Sequence, residues 1–180
     1  VIASDGDLME GISQEAIAMA GHWKLNKLIV LFDDNDISID GPLSIADSVD
    51  QVKRFQAAGW RAERVDGHDP DAIGAAIERA QKSGKPSLIA CKTVIGYGAP
   101  KKAGTSKAHG EPLGADELKG AKEKLGIAPE PFSVAPDVLD AWRKIGARGA
   151  SARKTWESLF GTLPPKKQAE FNRRLAHERP

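Results

Sequence analysis

Apolar residues in the first half of the chain alternate between short continuous runs and longer stretches where they recur every three or four positions. The first run, Val1-Ile2-Ala3-Ser4, has strand character and stops at Asp5-Gly6-Asp7. Leu8, Ile12, Ala16 and Ala20 then repeat every four residues, with Met9, Met19 and Trp23 beside them, a pattern that predicts a helix. Asp7 is placed to cap that helix, with Glu10 three residues later in capping-box position. Leu28-Ile29-Val30-Leu31-Phe32 has no polar break, as expected of a strand buried on both faces of a parallel sheet. It ends in the polar cluster Asp33-Asp34-Asn35-Asp36.

Ile37-Ser38-Ile39-Asp40-Gly41-Pro42 reads as a short extended piece and a turn. Residues 49–58 predict a helix, 60–65 a strand, 69–82 a helix with Pro70 in its first turn, and 87–91 another buried strand. The resulting order, β-α-β-α-β-α-β, predicts an α/β fold: a doubly wound parallel sheet with helices on both faces. Residues 94–112 break the pattern with Gly96, Gly98, Gly104, Gly110, two prolines and several lysines. Structureless loops of this length inside a compact domain are often functional. Only helices are predicted beyond it, at 115–125, about 136–160 and 165–177. The chain therefore divides into an α/β part, 1–114, and a helical extension of the same domain, 115–180, with Arg179-Pro180 as the start of an interdomain linker.

Composition changes this picture little. A length of 180 residues supports one domain with a real core, and 41% hydrophobic with 28% charged residues is ordinary for a globular protein. The net charge of +1 names no partner. Its distribution is uneven: residues 1–60 hold four basic against ten acidic residues, a net of −6, and residues 141–180 hold ten against three, a net of +7. A basic end is one mark of nucleic-acid binding. Here the basic residues alternate with Trp142, Trp156, Leu159 and Phe160 at helical spacing, which reads as a solvated helix face, and no nucleic-acid partner is expected. One cysteine, Cys91, lies in an apolar run, so no disulfide forms within the chain and a reducing, cytoplasmic setting is expected. No apolar stretch is long enough to span a bilayer, and no membrane partner is expected.

The acidic clusters carry the chemistry. In open α/β sheets, ligands bind beyond the carboxyl ends of the strands. Asp5-Gly6-Asp7 and Asp33-Asp34-Asn35-Asp36 both fall there. If their strands are neighbours, Asp5 and Asn35 lie side by side. A carboxylate and a carboxamide oxygen are hard ligands that suit Mg²⁺ or Ca²⁺ and not zinc. Mg²⁺ seldom takes all six oxygens from protein, so phosphate oxygens and water would complete the shell. Gly6 would let phosphate approach the backbone N–H groups at the helix start. Read one at a time, the first cluster is more simply a turn with a cap and the second a solvated loop; their joint placement at two strand ends brings the two readings level.

The wording of the chain adds to this reading. Asp5-Gly6 followed by Glu10-Gly11, with Asn35 thirty residues after Asp5, resembles the motif of thiamine diphosphate enzymes. The phrases Asp5-Gly6-Asp7-Leu8-Met9-Glu10-Gly11-Ile12-Ser13, Asp33-Asp34-Asn35-Asp36-Ile37-Ser38-Ile39-Asp40-Gly41, Asp66-Gly67-His68-Asp69 and Lys92-Thr93-Val94-Ile95-Gly96-Tyr97-Gly98 resemble transketolases in particular. Ala103-Gly104-Thr105 with His109-Gly110 continues the series, which spans most of residues 4–114. The resemblance implies Asp5, Asn35 and the backbone carbonyl of Ile37 as Mg²⁺ ligands, with Ca²⁺ a possible substitute. It implies Gly6 against the diphosphate, Glu10 supporting that loop, Asn35 touching both metal and diphosphate, and Ile39 against the middle of the cofactor. His109 would face the thiazolium and the sugar, binding a hydroxyl or moving a proton. Ser4 departs from the family pattern, which has glycine there. His22, His68 and His177 are given no catalytic role.

The implied activity is ketol transfer between sugar phosphates by a homodimer, with the cofactor at the subunit interface. The resemblance also implies what is lacking: a pyrimidine-binding domain with its activating glutamate, the arginine-bearing sugar phosphate site, and the strands before Val1. The chain is expected to be a fragment, the N-terminally truncated diphosphate and Mg²⁺ part, inactive alone. The alternatives are another thiamine diphosphate enzyme of the deoxyxylulose phosphate synthase kind, or a stand-alone Mg²⁺–diphosphate binding module.

Overall fold

The computed structural model describes residues 1–179. Pro180, in the expected linker, lies outside them, and the described residues form two compact units, 1–129 and 130–179. In the first, strands β1 (Ile2–Ala3), β2 (Ile29–Asp34), β5 (Arg61–Asp66) and β6 (Ser87–Lys92) make one parallel sheet in the order β1-β2-β6-β5. Strands β3 (Ile37–Ser38) and β4 (Gly41–Pro42) form a separate antiparallel hairpin. The expected doubly wound α/β fold is the observed one.

Strand alternation divides the core in two. Val30 and Phe32 of β2, with Leu88 and Ala90 of β6, pack with Leu8 of α1 (Asp5–Met9), Ile17 and Ala20 of α2 (Gly11–His22) and Phe55 of α3 (Gln51–Ala57). Ile89 and Cys91 pack with Ala76 and Ala80 of α4 (Pro70–Gln81), with Ile29, Leu31 and Val65 beside them. Successive strand residues point to opposite faces, so the continuous apolar runs supply both layers at once. Each fully buried side chain such as Phe32, Phe55 or Leu88 contributes about 1.5–3 kcal/mol. The Trp60 indole N–H donates to the Ile17 carbonyl at 2.9 Å, and its ring meets Phe55 edge-on. At Gly21 a Cβ would run into the Ala58 carbonyl, so the ends of α2 and α3 approach as only glycine permits.

Two expected helices are broken. The first is interrupted at Glu10, whose backbone is extended (φ −60, ψ 140), so α1 and α2 are separate. The break changes the helical phase: Ile17, Ala20 and Gly21 are buried, while Ile12 is 71% exposed and Met19 and Trp23 are also exposed. The cap is Ser4, not Asp7: the Ser4 backbone N–H and hydroxyl both donate to the Asp7 carboxylate, at 2.7 and 2.9 Å. The second break separates α7 (Pro136–Ala147) from α8 (Gly149–Gly161), between Gly146 and Gly149, where helix propensity is low.

The long loop is tied down. It holds a short helix, α5 (Lys107–Gly110), and its early turn is covered by α6 (Ala115–Leu125), where Glu117 accepts from the Lys101 and Lys102 backbone N–H groups at 3.0 Å each. Gly120 lies against the Pro100 ring and Gly98 against Leu125. The first compact unit thus contains α6, which the sequence reading placed with the helical extension. The second unit holds α7, α8 and α9 (Pro165–Leu175), with Trp156, Phe160 and Phe171 in mutual ring contact and Glu170 accepting from Arg173 and Arg174.

Candidate cofactor site

Asp5 opens α1 directly after β1, and Asn35 follows the neighbouring strand β2. Their parallel pairing is what brings two residues thirty positions apart to one sheet end. Asp5, Gly6, Asn35, Ile37 and Ile39 line one cavity of about 420 Å³, and His109 from α5 lines it as well. Six of the seven residues expected from the sequence therefore meet. Glu10 is the one outside: it lies at the α1–α2 junction, where its carbonyl accepts the Ser13 N–H at 3.1 Å.

Asp5 is the anomaly of the structure. It is only 6% exposed, and both carboxylate oxygens are buried with no hydrogen-bond partner. Burial, followed by the charges of Asp34, Asp36 and Asp33, pushes its carboxyl up to about 6. A buried carboxylate without partners is costly in a chain that has no other use for it. A cation would satisfy both oxygens. Among the described residues no group of three or more His, Cys, Asp or Glu side chains is arranged to hold a metal, so a cation here would need neutral oxygens beside Asp5.

The neighbouring donors fit that role. Asn35 Oδ1 accepts the Ile37 N–H at 2.9 Å and keeps a second lone pair, and its Nδ2 donates to Asp33 at 3.1 Å. A Cβ on Gly6 would touch nothing in the chain, so internal packing does not require glycine there. Ser4 has φ −113 and ψ 179, extended backbone open to any residue, so a serine sits there without strain.

A charged bracket surrounds the turn that carries Asn35. Lys92, the last residue of β6, pairs with Asp36 and, at 3.4 Å, with the buried Asp34. Arg64 holds the other Asp34 oxygen at 3.1 Å. Burial opposes the Lys92 charge, but the bond to Asp36 and the charges of Asp34 and Asp36 outweigh it and hold its ammonium above the ordinary range. Thr93 donates its hydroxyl to Asp33. The sequence pattern alone singles out none of Lys92, Thr93 and Asp33. The signal was register, because Asp34 lies opposite Lys92 once β2 and β6 are paired. His68 accepts the Val94 N–H at 2.9 Å on Nε2 and stacks on Tyr97, so it pins the start of the loop.

The profile of the family described as transketolase, thiamine diphosphate binding domain, matches residues 1–180. This chain belongs to the transketolase family. It is 51% identical to a transketolase of Sinorhizobium medicae over 170 residues, 94% of the chain and 24% of that protein. A Cereibacter sphaeroides transketolase is 54% identical over 164 residues, 91% and 25% of the two chains. Among solved structures, a transketolase mutant of Pichia stipitis in complex with fructose 6-phosphate aligns with a TM-score of 0.85 and 40% identity, covering 100% of this chain and 28% of that one. The transketolase of Leishmania mexicana aligns at 0.85 and 35% identity, covering 99% and 28%. The chain thus spans about a quarter of the length of the curated transketolases it matches.

Proposed function

We propose that this chain supplies the Mg²⁺–diphosphate end of a transketolase active site, in a longer polypeptide that moves a two-carbon ketol unit from a ketose phosphate to an aldose phosphate. The observation that carries this is Asp5: a buried carboxylate with two unpartnered oxygens, in a cavity shared with Asn35, Gly6 and His109. Asp5, Asn35 Oδ1 and the Ile37 carbonyl hold Mg²⁺, and Ca²⁺ takes the same oxygen set. Gly6 leaves room for the diphosphate beside the start of α1. Asn35 reaches both ions, Glu10 braces the α1–α2 junction, and Ile39 presents an apolar side chain to the cofactor's middle. His109 hydrogen-bonds a sugar hydroxyl or moves a proton. Thiamine diphosphate, when bound, supplies the electron sink for carbon–carbon cleavage.

The Pichia stipitis transketolase complexes with fructose 6-phosphate and sedoheptulose 7-phosphate support this substrate class. The chain by itself is inactive in this reading, and the working enzyme is a cytoplasmic homodimer with the cofactor between subunits. No helix among the described residues is long and apolar enough to cross a membrane. The test is ketol transfer by the full-length polypeptide containing these residues, with xylulose 5-phosphate as donor. Activity that needs Mg²⁺ and thiamine diphosphate and disappears in Asp5→Ala is the expected result. Activity with pyruvate in its place would identify a different thiamine diphosphate enzyme, and cofactor binding by these 180 residues alone, abolished by Asp5→Ala, would favour a free-standing binding module.

A further inference from the structure

The carboxamide of Asn35 has two chemically opposite ends, and only one of them can face a cation. Its orientation is therefore part of the site. Asn35 Nδ2 donates to Asp33 Oδ2 at 3.1 Å, and Asn35 Oδ1 accepts from the Ile37 N–H at 2.9 Å. A half-turn of the amide would set its oxygen against the Asp33 carboxylate and its NH₂ against the Ile37 N–H, two mismatches at once. The orientation thus depends on where Asp33 holds its carboxylate. That carboxylate is gripped on its other oxygen by the Thr93 hydroxyl.

Thr93 follows β6, and its own backbone N–H donates to the Asp34 carbonyl at 3.2 Å. Asp33 is within β2, opposite Cys91 of β6. The grip therefore runs from β2 to the residue that directly follows β6, both anchored by the pairing of those strands. We propose that Thr93 is a positioning residue for the metal site: through Asp33 it fixes the Asn35 carboxamide with its oxygen toward the cation. This rests on the functional reading above, because it concerns how that site is held in shape. Residues that orient metal ligands in this way, without touching the metal, typically change metal affinity about 10–100-fold when removed.

The side chain of Thr93 also has a second, separable job. Its methyl group lies over Gly67, where a Cβ would collide with it. Thr93→Val keeps that methyl and removes the hydroxyl, while Thr93→Ser keeps the hydroxyl and removes the methyl. The measurement is the Mg²⁺ dependence of thiamine diphosphate binding to the full-length polypeptide, by titration calorimetry, with the melting temperature as a check on folding.

Thr93→Val is expected to weaken the apparent Mg²⁺ affinity about tenfold, and Thr93→Ser to stay within about threefold of wild type. Asp33→Ala cuts the same relay from its other end and should give a similar loss. The double variant Asp33→Ala/Thr93→Val should then be no weaker than Asp33→Ala alone, since both changes remove one interaction. An unchanged Mg²⁺ dependence in Thr93→Val, a Thr93→Ser as weak as Thr93→Val, or losses that add in the double variant would each overturn the assignment. Wild-type binding that ignores Mg²⁺, or that survives Asp5→Ala, would instead overturn the functional reading, and the relay with it.

Discussion

Asp5 shows how a functional residue can work against the fold that holds it. Its folded-state carboxyl, pushed up to about 6 from an ordinary 3.8, binds its proton more tightly than the unfolded chain does. The stabilising contribution of that proton is full below pH 3.8 and is lost as pH rises through 6. At neutral pH the ionised, unpartnered carboxylate opposes folding of the metal-free chain. Asp5→Asn keeps the shape without the charge, and should stabilise the metal-free protein at pH 7.5 by about 1–2 kcal/mol after solvent screening, with no gain at pH 4. Thermal melts at the two pH values check this. Gly6 makes the complementary case: Gly6→Ala meets no atom of the chain and should leave the melting temperature unchanged or slightly higher, while cofactor affinity falls. A melting temperature that drops together with affinity would mean that Gly6 serves packing and not the ligand. Asp5 and Asn35 were legible from their positions after strands. The loss of both Asp5 partners was not, because it depends on which side chains fail to arrive.

At the scale of elements, the apolar runs predicted the interior strands β2 and β6 to within about two residues, because a strand buried on both faces leaves no room for polar interruption, and the charged edge strand β5 was placed to within one residue by its neighbours' spacing. The helices were less readable. The four-residue repeat through Leu8, Ile12, Ala16 and Ala20 suited one continuous helix, and nothing local in Glu10 announces its extended backbone. The break turns Asp5 and Gly6 toward the cavity on a short helix of their own, so tertiary placement overrode the periodic pattern. Gly21 shows the same principle in a continuous helix. Gly21→Ala would improve helix propensity, yet its Cβ strikes the Ala58 carbonyl, and the variant should lose about 1–3 kcal/mol in denaturant unfolding. The charged bracket on Asn35's turn was invisible in sequence for a different reason. Arg64, Lys92 and Thr93 come to the turn from β5 and from the end of β6, and only the strand order brings them there.

Across the whole molecule, the two units differ in kind. Both core clusters belong to Val1–Pro129, whereas no described residue of the second unit is buried, and its apolar side chains meet mainly in the Trp156, Phe160 and Phe171 contact. A peptide of residues 130–180 should accordingly show partial helicity by circular dichroism and melt without a cooperative transition. A sharp melt would reveal a core of its own. The two margins of the sheet differ as well. β5 guards its side with Arg61, Glu63, Arg64 and Asp66, while the two-residue β1 borders the sheet with Ile2, 80% exposed. Its shortness limits strand pairing, but an exposed apolar margin without charges still invites association with other molecules. Concentrated preparations of the chain by itself should therefore aggregate from the β1 side, and Ile2→Lys should keep them in solution without disturbing the buried core. For anyone seeking to produce these residues, the exposed Ile2 margin is the first surface to redesign.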